Sequence, residues 1–294
     1  MIEELNNICK TINNVDLKKY NTFKLESSAL IMVFPSTVDE LKKVLDVSNK
    51  YNKKYFVLGN GSNVILPSFY DGIIIKLSNF NKYELKDNTV YAESGCMLNK
   101  LASEISSKGY AGLDFATGIP GSVGGSIYGN AGCFGSSISE ILISAEVFDG
   151  EKIVTLTNKD FKFGYRTSML KENANKKYII LSALFKVEES DKETLKALIK
   201  ERTEKRFASQ DLSHPSNGSM FRNPENNSAG ALIDNAGLKG LSVGDAMVSY
   251  KHANFIINNN NAKQEDVIKL VEIIKDKIKE KYDVDLVLEQ EIIK

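Results

Sequence analysis

Glycine falls at residues 112, 118, 121, 124, 125, 129, 132 and 135, with little regular periodicity between them. Such density disfavours a continuous strand or a long helix, because each glycine carries extra backbone entropy into folding and brings no side chain to pack. The stretch is expected to be a long, ordered, functional loop. A second cluster, Gly59-Asn60-Gly61-Ser62-Asn63, separates the apolar run Tyr55 to Leu58 from an extended continuation, Val64 to Leu66. Backbone amides freed by glycine can point at phosphate oxygens, so each cluster is a candidate anion nest. The Gly59 cluster has Val64 and not glycine at its sixth position, which excludes the Rossmann fingerprint, and no Walker lysine loop is present. By spacing alone, a glycine loop between strands is as readily a plain turn.

The flanking segments alternate between helix and strand. Thr37 and Glu40 form a capping-box pattern, and Val38, Leu41, Val44 and Leu45 then share one helical face up to about Tyr51. β-rich runs are expected at Gly72 to Leu77 and Thr89 to Glu93, followed by a helix with Leu98, Leu101, Ala102 and Ile105 facing inward and a stop at Gly109. Strands are expected at Ile141 to Phe148 and Lys177 to Val187, and the charged helical stretch Lys192 to Arg206 leads to a last lobe. That lobe holds a polar loop at Ser209 to Asn227, a helix with Val267, Ile268, Leu270, Val271, Ile274 and Ile278 inward, and a final strand from Asp285 to Ile293. A chain of 294 residues is long enough for two or three such lobes.

Composition removes several function classes. Lysine plus arginine and aspartate plus glutamate both number 38, so no overall field draws the protein onto nucleic acid or an anionic membrane. The first residues lack a basic start and apolar run, and apolar stretches such as Tyr178 to Phe185 are far too short to span a bilayer, so the expected location is the cytoplasm. Cys9, Cys96 and Cys133 fit neither a disulfide framework nor a zinc site and are expected as reduced thiols. With only His214 and His252 present, no metal centre is expected, and redox chemistry would have to come from an organic cofactor.

The wording of the glycine segments is more specific than their spacing. Gly112-Leu113-Asp114-Phe115-Ala116-Thr117-Gly118-Ile119-Pro120-Gly121-Ser122-Val123-Gly124-Gly125, followed by Asn130-Ala131-Gly132, resembles the FAD-pyrophosphate segment of the UDP-N-acetylenolpyruvoylglucosamine reductases, the MurB family. Leu58 to Asn63 resembles the family's first flavin loop, and Asn21-Thr22-Phe23 its short N-terminal motif. Phe163 to Ser168, Gly218 to Pro224, Ala229 to Gly240 and Ser249 to Phe255 are similar to the later blocks, in order. Departures are Gly129 in place of methionine and Arg222 in place of lysine, and no tyrosine-loop insertion is seen, which fits the shorter branch.

The resemblance implies an α+β chain with a p-cresol methylhydroxylase-type FAD fold, its two flavin lobes at 1–75 and 76–195, and a C-terminal α/β substrate domain at 196–294. It implies noncovalent FAD held by Thr22, Gly59, Asn60, Gly61, Ser62, Asn63, Thr117, Gly118, Pro120, Gly121, Ser122, Gly124, Gly125, Asn130, Ala131 and Gly132. The implied reaction is NADPH-dependent reduction of UDP-N-acetylglucosamine enolpyruvate in peptidoglycan precursor synthesis, with no obligate protein partner. Hydride comes from the flavin N5, the proton from Ser219, and the enolate-like charge is met by Arg166 and Glu291. From the residues alone, Ser219 is equally a turn serine, and Arg166, flanked by aromatics, is more readily a structural ion-pair partner. Glu289 and Glu291 share a face of the final strand by its period of two, so Glu289 stands in reserve if the register is shifted. Tyr165, Arg222, Asn223 and Lys239 are the implied substrate contacts, while Lys251 and His252 stay outside the catalytic set.

Overall fold

The computed structural model describes residues 1–173 and 178–294. Among them, the strand Lys54–Val57 lies beside Phe69–Ile75, then Ser28–Phe34, then Lys10–Asp16. The first three run parallel and the last is antiparallel. The helix Val38–Lys50 covers this sheet with Leu41, Val44 and Leu45, and Thr37 caps it by accepting from the Glu40 amide. A second, wholly antiparallel sheet has the order Ile153–Thr157, Leu142–Phe148, Ile179–Lys186, Thr89–Glu93, Tyr83–Lys86. Phe148, Ile179 and Leu181 from this sheet pack into the core of the first, so the two sheets share one apolar body. In these two sheets the expected strands are in place with shifted ends, while Lys10–Asp16, Ser28–Phe34, Tyr83–Lys86 and Ile153–Thr157 were not expected; the expected start of one strand at Lys177 lies outside the described residues.

The glycine-dense stretch is more structured than a loop. Ser122 caps a helix at Val123–Tyr128 by accepting from the Gly125 amide, and Gly132–Cys133 pairs with Ser136–Ser137 as a small hairpin. The helix tolerates Gly124 and Gly125 because it must pass close to its neighbours: a Cβ on Gly124 would lie 3.0 Å from Ser94 Cβ. Tertiary packing overrides the poor helix propensity of glycine here.

The bridging helix, Lys192–Ser209, buries only Leu195 along its length. It is tied to the glycine stretch by Arg202, whose Nη1 lies 2.6 Å from Asp114 Oδ2 with both side chains largely withdrawn from water. Beyond it, Ser216–Ser219, Phe255–Asn258, Ala246–Val248 and Ser242–Val243 form an antiparallel sheet packed on the helices Ala229–Asn235 and Gln264–Tyr282. The polar segment from Ser209 to Asn227 thus contributes a strand, which its serines and asparagines concealed.

The expected final strand is reduced to Glu291–Ile292, paired in parallel with Val64–Ile65 of the N-terminal part. Before that pairing the tail runs along the C-terminal lobe, with Glu289 N donating to Met220 O and Arg222 N donating to Val287 O. One extended segment therefore serves two lobes in turn, and neither supplies a full ladder. Phe23 and Leu25 also enter the C-terminal core, where Asn258 Nδ2 donates to the carbonyls of Phe23 and Lys24 at 3.0 Å each. No helix among the described residues is long and apolar enough to cross a membrane.

Candidate active site

The two glycine loops meet. Asn60 Nδ2 donates to Pro120 O at 2.5 Å, and a Cβ on Gly59 would lie 2.8 Å from Ser122 Oγ. Thr22 N donates to Gly61 O at 3.1 Å, and Gly61, at φ +66°, leaves so little room that a Cβ would fall 2.2 Å from Tyr20 O. Glycine is required there on both counts. Thr22 Oγ1 also donates to Asn217 Oδ1 at 2.7 Å, binding the first loop to the strand that ends at Ser219.

Both loops line a cavity of about 1230 Å³. That exceeds the roughly 300–1,000 Å³ of an ordinary small-ligand pocket and leaves room for a large cofactor together with a substrate. Two hydroxyls on its wall, Ser94 Oγ and Ser126 Oγ, are buried without a hydrogen-bond partner. Buried polar groups without partners are uncommon, and two beside paired glycine loops suit a ligand rich in acceptor oxygens, as FAD is.

The cavity also carries charge. Arg166 Nε donates to Glu289 Oε1 at 2.9 Å and its Nη2 to Gly132 O at 2.8 Å, while the guanidinium lies 5.1 Å from the centre of the Tyr165 ring. Arg166 adopts φ +58°, a left-handed conformation that a bulky residue holds only when its surroundings impose it. Asn130 helps impose it: its Nδ2 donates to Gly164 O at 2.9 Å, fixing the turn that delivers the arginine. Glu291 pairs with Lys171 at 2.9 Å. Burial, with Glu291's negative charge adding to it, pushes the Tyr128 phenol well above its ordinary value.

Ser219 ends its strand after Gly218 at φ +75°. Gln290, between the two glutamates, points the other way: its Nε2 donates to Asn217 O at 2.8 Å and Ser219 O at 2.9 Å. The alternation expected of the tail is present, with Glu289 and Glu291 lining the cavity and Gln290 buried behind them.

Of the residues singled out from sequence, Gly59 to Asn63, Pro120, Gly121, Ser122, Gly124, Gly125, Ala131, Gly132, Arg166, Ser219, Glu289 and Glu291 line this one cavity. Thr22 and Asn130 brace it from behind. Thr117 Oγ1 turns to Asp114 O, and Gly118 abuts Arg206, whose Nη1 would lie 2.4 Å from a Cβ there. Tyr165 is 54% exposed on the rim. Asn223 accepts from the Ala229 amide and Lys239 pairs with Asp234, and neither they nor Arg222 line the cavity. Lys76, Ser94, Ser126, Lys171 and Arg206 do line it and were not singled out. Ser126 stood inside the glycine segment, but the other four are isolated residues without a local pattern. Among the described residues Cys9, Cys96 and Cys133 are unpaired, and burial, chiefly, pushes the Cys96 thiol up to about 11, away from reactivity.

Comparison with known proteins agrees with this architecture. Residues 29–156 match the family described as an FAD binding domain, and residues 210–293 match the UDP-N-acetylenolpyruvoylglucosamine reductase C-terminal domain. The UDP-N-acetylenolpyruvoylglucosamine reductase of Bacillus subtilis (strain 168) is 40% identical, covering 100% of this chain and 98% of its own. The protein of that name from Clostridium novyi (strain NT) is 38% identical over 96% of this chain and 91% of its own. The crystal structure of UDP-N-acetylenolpyruvylglucosamine reductase (MurB) from Thermus caldophilus superposes with a TM-score of 0.82 at 33% identity, covering 97% and 98% of the two chains.

Proposed function

The chain belongs to the UDP-N-acetylenolpyruvoylglucosamine reductase family, and from that premise we propose that it reduces UDP-N-acetylglucosamine enolpyruvate to UDP-N-acetylmuramate with NADPH, in peptidoglycan precursor synthesis. Its FAD-binding domain makes it a flavin-dependent oxidoreductase. The observation that carries the reading is the convergence of Ser219, Arg166, Glu289 and Glu291 on the cavity that both glycine loops line.

In this reading residues 1–75 and 76–195 are the flavin lobes and 196–294 the substrate domain. The loops Gly59 to Asn63 and Pro120 to Gly125 hold the cofactor without a covalent bond: neither contains a histidine, and Cys96 and Cys133, which line the cavity, lie outside both. When bound, FAD supplies the hydride and NADPH restores it. Ser219 gives its hydroxyl proton to the carbon next to the one that accepts hydride; a serine is a weak acid and can do so only to a strongly basic carbon with positive charge near. Arg166 supplies that charge and meets the oxygen on which the enolate develops. Glu291, fixed by Lys171, completes the set around it. Arg222 is the strongest of the rim candidates for substrate, because its Nε is buried without a partner. None of Arg222, Tyr165, Asn223 and Lys239 lines the cavity, so all four would reach substrate only with a shift of the surrounding segments.

The test is spectroscopic. The purified chain should be yellow, bleach with NADPH without air, and recolour on addition of the enolpyruvyl sugar nucleotide; Ser219→Ala should bleach normally and recolour far more slowly. Recolouring by oxygen alone, with indifference to the sugar nucleotide, would remove the assignment.

A further inference from the structure

Lys76 follows the strand Phe69–Ile75 and extends beneath the first glycine loop, where its Nζ donates to Gly59 O. Among the described residues its ammonium forms no ion pair and no other hydrogen bond, although it lines the same cavity as both glycine loops. A partly desolvated ammonium without a counter-charge is costly, and desolvation pulls its pKa from 10.5 down to about 8. The partnerless hydroxyls of Ser94 and Ser126 line the same cavity, each set against a glycine of the second loop: a Cβ on Gly124 would meet Ser94 Cβ at 3.0 Å, and one on Gly121 would meet Ser126 Oγ at 2.9 Å. The wall beside the loops thus offers an unmatched cation, two free hydroxyls and glycine-freed amides, with no carboxylate between Gly59 and Asn63 or between Ile119 and Ser126.

We propose that Lys76 is a cofactor-binding residue whose ammonium neutralises the diphosphate of the bound dinucleotide. The assignment rests on the flavoenzyme reading above and extends it to one residue that carries charge rather than backbone amides. Diphosphate is the ligand part that supplies dense negative charge beside glycine loops, and a lysine with two N–H bonds to spare can serve it as a point charge. An ammonium held by one carbonyl and matched by no carboxylate is what a cation reserved for an anionic ligand requires.

The test measures dissociation constants of FAD and of riboflavin, which lacks phosphate, for the full chain and for Lys76→Met and Lys76→Arg. Lys76→Met should weaken FAD at least about ten-fold, leave riboflavin within about two-fold, and leave the thermal midpoint of the flavin-free chain unchanged or raised, because an uncompensated buried charge has been removed. Lys76→Arg should recover part of the loss. Unchanged FAD affinity in Lys76→Met overturns the assignment. So does an equal loss for FAD and riboflavin, which would mean a displaced loop, and so does a rise in KM for the sugar nucleotide at unchanged FAD affinity, which would place the cation on the substrate diphosphate. A parent chain that binds neither flavin overturns the flavoenzyme reading as well; a parent that binds FAD while Lys76→Met is indifferent overturns this inference alone.

Discussion

Arg166 reaches Glu289 with 2.9 Å between Nε and Oε1 while its own backbone is held at φ +58°. Carboxylate and Gly132 carbonyl together use two faces of the guanidinium fork and leave the rest toward the cavity. A lysine there would keep the charge but could not span both acceptors. Arg166→Lys should therefore retain flavin absorbance and lose about 10²–10³ in turnover with the enolpyruvyl substrate. A loss under about five-fold would show that the fork is structural only.

The two glutamates are separable by substitution. Glu291→Gln should cost about 10²-fold or more in the step that reoxidises the flavin, as removal of a positioned acid or base commonly does. Glu289→Gln, which still accepts from Arg166, should cost much less. If stopped-flow traces show the reverse order, Glu289 is the reacting carboxyl and Glu291 the brace.

Two left-handed glycines offer a matched pair. Gly61 has φ +66° and backbone atoms of Tyr20 and Asn21 within 2.7 Å of a would-be Cβ, whereas Gly135, at φ +85°, has nothing within 4 Å. Gly135→Ala should cost about 1 kcal/mol from the conformation alone. Gly61→Ala should cost at least about 2 kcal/mol more through the clash, and should expel the flavin; denaturant midpoints with and without FAD check both.

Gln290 donates to two carbonyls around Gly218 and holds the serine-bearing turn. Gln290→Met preserves the volume and removes both donations, for an expected loss of about 1–3 kcal/mol. Turnover should fall with it while FAD affinity stays, since the loops are untouched. Full activity in this variant would show that Ser219 is positioned by its strand alone.

Asp211 gives a pH prediction. Burial opposes its charge, but hydrogen bonds from His214, Ser213 and Ser249 outweigh that and hold the carboxyl at about 2 against an ordinary 3.8. A carboxyl whose folded value is depressed stabilises the fold above its unfolded value and loses that contribution as pH falls toward the folded one. The difference in unfolding free energy between the parent and Asp211→Asn should be about 2 kcal/mol above pH 4, shrinking as pH drops toward 2. A pH-independent difference would assign the effect to shape.

What was legible in the sequence and what was not follow from the range of the forces involved. The helix Val38–Lys50 announces itself through Thr37, Glu40 and a 3.6-residue stripe, all local signals. The two glycine loops stood out in their wording, and the close approaches at Gly59 and Gly61 leave little chemical choice there. The helix at Val123–Tyr128 was hidden, since its glycines serve contacts with Ser94 rather than helix propensity. Pairing of Glu291–Ile292 with Val64–Ile65 spans most of the chain and leaves no local trace. Lys76, Lys171 and Arg206 are single cations whose surroundings come from distant segments, so nothing near them in sequence marks them.

The tail's double attachment makes two affinities one property. Asn63 of the first glycine loop accepts from Glu291 N and donates from its side chain to Glu289 O, so the segment bearing both carboxylates is joined directly to the loop proposed to hold the cofactor. A substrate that shifts the carboxylates pulls on that loop, and a cofactor that orders the loop presets the carboxylates. By thermodynamic reciprocity each ligand must change the other's binding by the same factor. Whatever factor this seam carries from flavin to sugar nucleotide, it carries back unchanged.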